Sequence, residues 1–579
     1  MNPPSLCATL SGGKDSTCTT ILLLEAVRRH KTDAANAGRH FVMSADTTIE
    51  NPAVMWHLSS MLDEIAQGVA EEGLPLAVHI ARPSLASQFV VSTIGRGTLP
   101  RTAQNGTWNG KRIRPCSTDW KVVPQNRLRA ELEREVRGPI VTALGNRLEE
   151  SASRQAAMTD RGETADAVLR SVDGNLTVSP IADWQLDDVW TFLALFGDGC
   201  ARPFPSPVSA GSIERMLQLY RDGNEGTCGV VLGDAGSRAA CGSRFGCAFC
   251  CVSGERDRSM ESMVNEPHHA HLGGLNRFRN YLLATQWDLG RRELVGRKLS
   301  PSGHVRVRPD VLSYAERINL LRYLLTLDAL EAERAEQHDA DLASGMIPDT
   351  PTNRDLCSVQ FEMVSPRQLV AIDFFLSMHH YAPHAFPALS IWYEVHRLGR
   401  RYPVPAVERF RPVHIPTHGW FKVGAWDADV PVDGLRDYSA ESWNPYRHPE
   451  RAGRFAQTTA GERIVWHDEG DHLAVDAEAA CGFVTCSFDH AWYARAQHFH
   501  AIDSARFWLN EAFVTLPRGQ SQRYQEMAKR GQYFARLAER LNFTPAEFDR
   551  YLIEQAVRCP GEPDGTVDAG QLDLFAMAA

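Results

Sequence analysis

From Leu6 the chain reads LCATLSGGKDSTCTTILLLEAV: an apolar run with strand character, a turn containing two glycines, then a run with helical spacing. A strand that feeds a glycine turn and a helix start presents free backbone N–H groups and the positive end of the helix dipole to an anion. Ser11 and Ser16 add hydroxyl donors, Lys14 adds a point charge, and Asp15 adds a carboxylate able to hold Mg2+ or a phosphate-bound water. Gly12 and Gly13 let the backbone bend around the anion. The pattern differs from the G-x-x-x-x-G-K-S/T loop, because Lys14 is followed by Asp15.

Short apolar runs alternate with amphipathic ones through about residue 195. Strands are expected at Ser5–Leu10, His40–Ser44, Leu76–Ile80 and Pro139–Leu144, with helices such as Thr17–Arg29 and Ala53–Glu71 between them. Such alternation predicts an α/β, doubly wound parallel sheet that binds ligands at the carboxyl ends of its strands. The polar residues do follow strands: Asp46 and Thr47 in SADTTIENPAV are placed to read a ribose or adenine amine. Gly145 and Arg147 in LGNRLEESASR precede Glu150 and Arg154, one helical turn apart.

The S-G-G-x-D-S loop resembles that of the ATP pyrophosphatases, which split ATP between the α and β phosphates. DTTIENP, GNRLEESASR and PIADWQLDDVW are similar to D-T-x-x-E-x-P, G-x-R-x-x-E-S-x-x-R and P-I-x-D-W-x-x-x-D-V-W of phosphoadenosine phosphosulfate (PAPS) reductase-like proteins. Trp184 and Trp190 in the last segment are read as core packing.

CGSRFGCAFCC holds Cys241, Cys247, Cys250 and Cys251 in a glycine-containing loop whose thiolates can converge on one metal centre. Cys116, in the cation-rich segment KRIRPCSTDWK, is the expected further ligand. Four cysteines suit zinc or an iron–sulfur cluster, and spacing does not choose. R-x-C-x-x-x-x-K, then C-G-x-R-F-G-C-x-x-C and D-R-S-M, resembles the DndC-type ATP pyrophosphatases of bacterial DNA phosphorothioation, a resemblance covering about residues 6 to 300. It implies a [4Fe-4S] cluster on Cys116, Cys241, Cys247 and Cys250. Cys251 stands where that pattern has a hydroxyl residue, and the C-terminal half does not match it. Cys228 is read as a buried thiol or a persulfide carrier. Cys7, Cys18, Cys200, Cys357, Cys481, Cys486 and Cys559 are read as ordinary cysteines.

With 579 residues, the chain exceeds one compact core. The expected division is an ATP pyrophosphatase domain over 1–195, a cysteine-rich region over 196–300, a helical extension over 301–345 and a C-terminal domain over 350–579. Helical spacing runs through Val311, Tyr314, Ile318, Leu321 and Leu325, and ASGMIPDTPTNRD reads as a linker. Beyond it come a helix from Pro366, a β-like region from His414 to about Phe488, and a terminal helix capped at Thr544 with Pro545 and Glu547. No apolar run reaches membrane-spanning length and no leader precedes the first strand, so a cytoplasmic protein is expected. Thirteen cysteines is an odd number, and in a reducing compartment no disulfide framework is expected, so their clustering points to metal binding or sulfur chemistry.

A net charge of −10 argues against coating nucleic acid through global charge. Locally, Arg96 to Arg129 carries eight Lys or Arg against one acid, Asp119, which suits either a phosphate backbone or a solvated loop; RLGRRYPVPAVERFR is a second basic patch. The resemblance implies an enzyme that uses ATP and Mg2+ to adenylate a DNA phosphate, with Lys14, Asp15 and Ser16 catalytic. Its implied partners are DNA, a cysteine desulfurase as sulfur donor and other DNA sulfur-modification proteins. Three alternatives stand beside it: a sulfonucleotide reductase, whose E-C-G-x-H motif is replaced around Cys559 by VRCPGEP; a tRNA thiolase; and a cluster-bearing scaffold switched by ATP in a defence complex.

Overall fold

The computed structural model describes residues 4–31, 38–102, 107–108, 111–112, 115–150, 152–171, 174–198, 201–224, 245–252, 254–300, 303–416, 419–423, 430, 432–435, 455–457, 463–465 and 471–557. The chain divides into two compact units, one of Met1–Pro83 with Cys116–Asn276 and one of Ser84–Pro115 with Arg277–Ala579.

In the first unit, β1 (Ser5–Thr9), β2 (His40–Ala45), β3 (Leu76–Ala81), β4 (Ile140–Ala143), β5 (Leu169–Arg170) and β6 (Leu176–Val178) form a six-stranded sheet in the order β3-β2-β1-β4-β6-β5. The pairs β3-β2, β2-β1, β1-β4 and β4-β6 are parallel. The β5-β6 pair is antiparallel, so the sheet is mixed rather than wholly parallel. Residues 171–175 between those strands are too few for a parallel crossover, which needs about a dozen.

Side-chain alternation explains why the central strands are apolar throughout. Cys7, Phe41, Met43 and Ile140 pack on one face with Leu132 of α3 (Val123–Val136). Ala8 and Val42 point to the other face, against Ile21 and Leu24 of α1 (Lys14–Arg29) and Leu58, Met61 and Ile65 of α2 (Pro52–Glu72). With α1 and α2 on one face and α3 on the other, the winding reverses between β1 and β4, the position at whose carboxyl ends open α/β sheets bind ligands. Two helices follow α4 (Ala152–Arg161): α5 (Leu186–Gly197) and α6 (Ala210–Asp222). Both join the core, through Val189, Leu193, Ile213 and Met216. The expected boundary near residue 195 therefore falls inside this unit. α2 approaches residue 207 so closely that a Cβ on Gly68 would lie 2.4 Å from Pro207 Cβ.

In the second unit, β7 (Arg292–Leu299), β8 (His304–Leu312) and β9 (Trp420–Lys422) form an antiparallel sheet in the order β9-β8-β7. The expected helical run starts at Tyr314 as α7 (Tyr314–Ala343), where Ser313 Oγ accepts from Glu316 N, and it buries Leu320, Leu321, Leu324 and Leu325. Arg317 of α7 donates to the carbonyls of Ile94, at 2.6 Å, and Gly95, which groups the 84–115 segment with this unit. α8 (Pro366–Ser377) starts with a Ser365–Gln368 capping box, and the helix Pro545–Glu554 carries the Thr544–Glu547 box expected of it. The expected β-like region contains short strands at Trp420–Lys422, Phe455–Gln457, Arg463–Val465 and Ala474–Val475, but Ala477–Cys486 is a helix capped by Asp476. No helix among the described residues is long and apolar enough to cross a membrane.

Candidate functional site

The turn between β1 and α1 is closed from within. Ser11 N donates to Ser16 Oγ at 3.2 Å, the two hydroxyls lie 3.0 Å apart, and Ser16 Oγ donates to Gly13 O at 2.9 Å. Gly12 takes φ +74°, a left-handed conformation that favours glycine. Gly13 is the N-cap of α1 and has no side chain to occupy the helix start. Ser16 therefore shapes the loop, while the backbone N–H groups and Lys14 provide its positive character.

β4 delivers the second half. A Cβ on Gly145 would stand 2.8 Å from Asp15 C and Ser16 N and 2.9 Å from Asp15 O, so only glycine lets the chain pass the start of α1 at this distance. Two residues on, Arg147, 3% exposed, donates its Nε to Asp15 Oδ1 at 2.5 Å and an NH1 to Trp184 O at 3.4 Å. Asp15 Oδ2 takes Lys14 Nζ at 3.0 Å. Burial alone would lower the Lys14 pKa; the Tyr220 hydroxyl and the Asp15 carboxylate outweigh it, so Lys14 lies above its ordinary value and stays charged.

Lys14, Asp15, Ser16, Gly145 and Arg147 thus meet at one point, which suits a polyphosphate or sulfated phosphate. Mg2+ fits less simply, because each oxygen of Asp15 already faces a cation; it would need phosphate oxygens for most of its ligands. Tyr220 of α6 belongs here too, though sequence reasoning passed over it. Its hydroxyl lies 3.4 Å from Lys14 N, its ring centroid is 5.3 Å from Lys14 Nζ, and Trp190 packs on it edge-on at 5.4 Å. Its only sequence signal is a place on the apolar face of IERMLQLY. Trp190 is buried and Trp184 packs against the same core, as expected of both.

Asp46 sits at the carboxyl end of β2, accepting from Thr48 N at 2.7 Å and pairing with Arg82 Nε at 2.8 Å. Thr48 has φ +67°, an uncommon conformation for a threonine and one often found at ligand-binding turns. Glu150 pairs with Arg154, its neighbour one turn on.

The cysteine-bearing segment docks on the same β2–α2 turn. Ala248 N donates to Ile49 O at 2.7 Å, Cys247 bridges Glu50, and Cys247 Sγ lies 3.5 Å from Thr47 Oγ1. Lys121, five positions beyond Cys116, pairs with Glu50 at 2.8 Å. Although burial disfavours its charge, Glu50, Cys247 and Cys116 together raise the Lys121 pKa. The Cys247 thiol is pushed up by burial, with Glu50 and Cys250 adding to the rise. Cys116 and Cys247 are therefore neighbours of the half-buried Glu50–Lys121 ion pair and Cys250 is a neighbour of Cys247, and Lys121 suits them to a thiolate-bound centre by offsetting negative charge. Among the described residues these cysteines do not form a group whose donor atoms all lie within 4.8 Å, the separation one shared ion would require. A [4Fe-4S] cluster places each thiolate on a different iron and accommodates wider spacing. Cys251 is buried. Cys228 and Cys241 lie outside the described residues, as do Cys200 and Cys559. Burial pushes the Cys7 thiol up to about 12 and raises that of Cys18, which suits inert core residues.

The basic stretch is less free than its composition implied. Arg129 is buried and bonds Glu133 and Ile140 O, Lys121 pairs with Glu50, and Arg96 donates to Ala86 O and lies over the Phe375 ring. The side chains of Lys111, Arg112 and Arg114 lie outside the described residues. The stretch also divides between the two units at residue 116.

Residues 5–196 match the family model of the phosphoadenosine phosphosulfate reductase domain. Similar solved structures include phosphoadenylyl-sulfate reductase from Candida auris in a phosphate complex, 17% identical, covering 33% of this chain and 72% of that one, with a TM-score of 0.19. Another is the U34-tRNA thiolase NcsA from Methanococcus maripaludis with its [4Fe-4S] cluster, 16% identical, covering 38% of this chain and 67% of that one, with a TM-score of 0.21. No curated protein matches the chain. Residues 5–196 thus form an α/β domain similar to the phosphoadenosine phosphosulfate reductase domain.

Proposed function

We propose that the first unit is a nucleotide-dependent sulfur-transfer enzyme whose β1–α1 turn holds the phosphates of an adenine nucleotide. The observation that carries this reading is the meeting of the Gly12–Ser16 turn with Gly145 and Arg147 at the winding reversal of the sheet. The α1 N-terminus and Lys14 would bind phosphate oxygens and stabilise charge that grows on the departing group. Asp15 would hold Lys14 and Arg147 in register on the reacting phosphate during turnover.

The family match favours a sulfonucleotide substrate. In that chemistry a thiolate attacks the sulfate sulfur, an S–S bond forms as the S–O bond to the nucleotide phosphate breaks, and a second thiol releases sulfite while the pair is oxidised to a disulfide. A second reading is favoured by the docking of Cys247 beside Thr47, with Cys116 near Lys121 and Cys250 near Cys247. Here the substrate is ATP: a phosphate oxygen of DNA attacks the α-phosphorus, pyrophosphate leaves, and a sulfur nucleophile then displaces AMP to leave a phosphorothioate. A cysteine desulfurase would deliver the sulfur as a persulfide, whose terminal sulfur attacks as AMP leaves and whose S–S bond a dithiol reductant then cleaves to free the phosphorothioate; a [4Fe-4S] cluster on Cys116, Cys241, Cys247 and Cys250 would hold or relay that sulfur. DNA, the desulfurase and other DNA sulfur-modification proteins are partners of this second reading only.

Product analysis separates the two. The full chain, purified without oxygen, is incubated with PAPS and a dithiol, or with ATP, Mg2+ and DNA. Sulfite from the first mixture supports the sulfonucleotide reading, and pyrophosphate with AMP from the second supports ATP cleavage. If neither nucleotide is consumed or bound, the proposed function is wrong.

A further inference from the structure

Away from the cysteines, the first unit gathers a second set of metal-ligating atoms. Asp222 is the last residue of α6, and His268 and His269 lie in the short helix Pro267–Leu272. Both imidazoles aim Nε2 at the same carboxylate oxygen, Asp222 Oδ2, at 2.8 Å from His268 and 3.1 Å from His269. The three donor atoms all lie within 4.8 Å of one another. Asp222 is 2% exposed and His269 is 8% exposed, while His268 is half-buried and opens the group to solvent on one side.

We propose that Asp222, His268 and His269 form a binding site for a divalent first-row metal ion of the zinc class, separate from any centre on the cysteines. Two imidazole nitrogens and one carboxylate oxygen are a donor set that zinc accepts with a further position open, whereas Mg2+ and Ca2+ favour oxygen donors. Zinc bonds of about 2.0–2.2 Å separate tetrahedral ligands by roughly 3.3–3.6 Å. The two observed separations come within a small side-chain rotation of that range. The groups behind the ligands are arranged as a metal site requires. Gln218 Nε2 donates to Asp222 Oδ1 at 2.6 Å, which fixes the carboxylate and leaves Oδ2 for the ion. Ser262 Oγ donates to Asp222 O at 2.5 Å and anchors the end of α6.

A buried carboxylate is costly unless its charge is answered, and a cation at this point answers it with both imidazoles neutral. The ion would also tie the turn at 267–272 to the helix whose Tyr220, two residues before Asp222, leans on Lys14 of the phosphate turn. Its first role is thus to brace the loop from behind.

The test uses the full chain, stripped of labile metal and titrated with Co2+ and then Zn2+. Asp222→Asn keeps the shape of the site and removes the anionic ligand. His268→Gln, at the half-buried position, serves if the first variant does not fold. The wild-type protein should bind one equivalent that the variant loses, with cobalt absorption of nitrogen and oxygen ligation and no thiolate charge-transfer band. Zn2+ should raise the thermal midpoint of the wild type and not of the variant. Equal metal content in both proteins, a lost equivalent bearing the thiolate band, or no binding by the wild type would each overturn the site and leave a hydrogen-bonded ion-pair cluster in its place.

Discussion

Replacing Gly145 by alanine probes the junction on which the phosphate turn rests. The added Cβ would lie 2.8 Å from Asp15 C and Ser16 N and 2.9 Å from Asp15 O, and all three are backbone atoms that no rotamer change can move aside. Relief requires β4 and the start of α1 to separate by several tenths of an ångström. Overpacking of this kind costs about 1–3 kcal/mol. With only backbone to yield, the upper part of that range applies, about 2–3 kcal/mol, or roughly 30- to 140-fold in the folded-to-unfolded ratio. The same movement pulls Arg147 from Asp15 and tilts the helix start away from its anion, so nucleotide affinity should fall by more than tenfold. Urea denaturation gives the first quantity and calorimetric titration with the nucleotide gives the second. A Gly145→Ala protein with wild-type midpoint and affinity would refute the close approach and the role built on it.

Further outcomes follow from other groups. His57, 1% exposed beneath Gly12, has its pKa lowered to about 4 by burial, with Arg215 adding to the shift and Glu64 opposing it. Between pH 6.5 and 4 the unfolded chain binds the proton and the folded chain does not, so stability is lost as pH falls through that window, by up to about 3 kcal/mol. His57→Asn should remove that component of the urea-midpoint slope, and an unchanged slope would contradict the assignment. Asp15→Ala should abolish turnover without weakening nucleotide binding, because Lys14 and Arg147 are released to the phosphates; undiminished turnover would exclude Asp15 from the chemistry. Protein purified without oxygen should be brown with equal iron and sulfide, and Cys247→Ser should lose both; stoichiometric zinc without sulfide would exclude the cluster.

How much of this could be read in the sequence depended on how local the physics is. The Ser11–Ser16 turn, Gly145 and Arg147 were legible because each follows a short apolar run, and the structure confirms all four central strands within a residue or two. The helix start at Pro366 and the capping box at Thr544 are likewise local. Tyr220 and His57 were missed because each is one more position on the buried face of a helix, and only tertiary packing brings it to the loop. Asp222 lies 46 positions before the adjacent pair His268 and His269, at no recognised metal-ligand spacing. Charge counting overstated the freedom of the 96–129 cations, since Arg129 and Lys121 are held by partners that composition cannot reveal. The antiparallel β5-β6 edge follows from a connection too short for a crossover, a constraint that becomes visible once both short strands are located.

The central claim, that the β1–α1 turn holds nucleotide phosphates, is tested most directly by equilibrium binding of ATP and of PAPS to the full chain and to its Lys14→Ala variant. Lys14 contributes a charge-assisted contact worth about 1.5–3 kcal/mol to phosphate. The account therefore predicts saturable binding of at least one of the two nucleotides, weakened roughly 10- to 140-fold in Lys14→Ala with the thermal midpoint of the unliganded protein little changed. Absence of binding by the wild-type protein, or equal affinity in the variant, would contradict it.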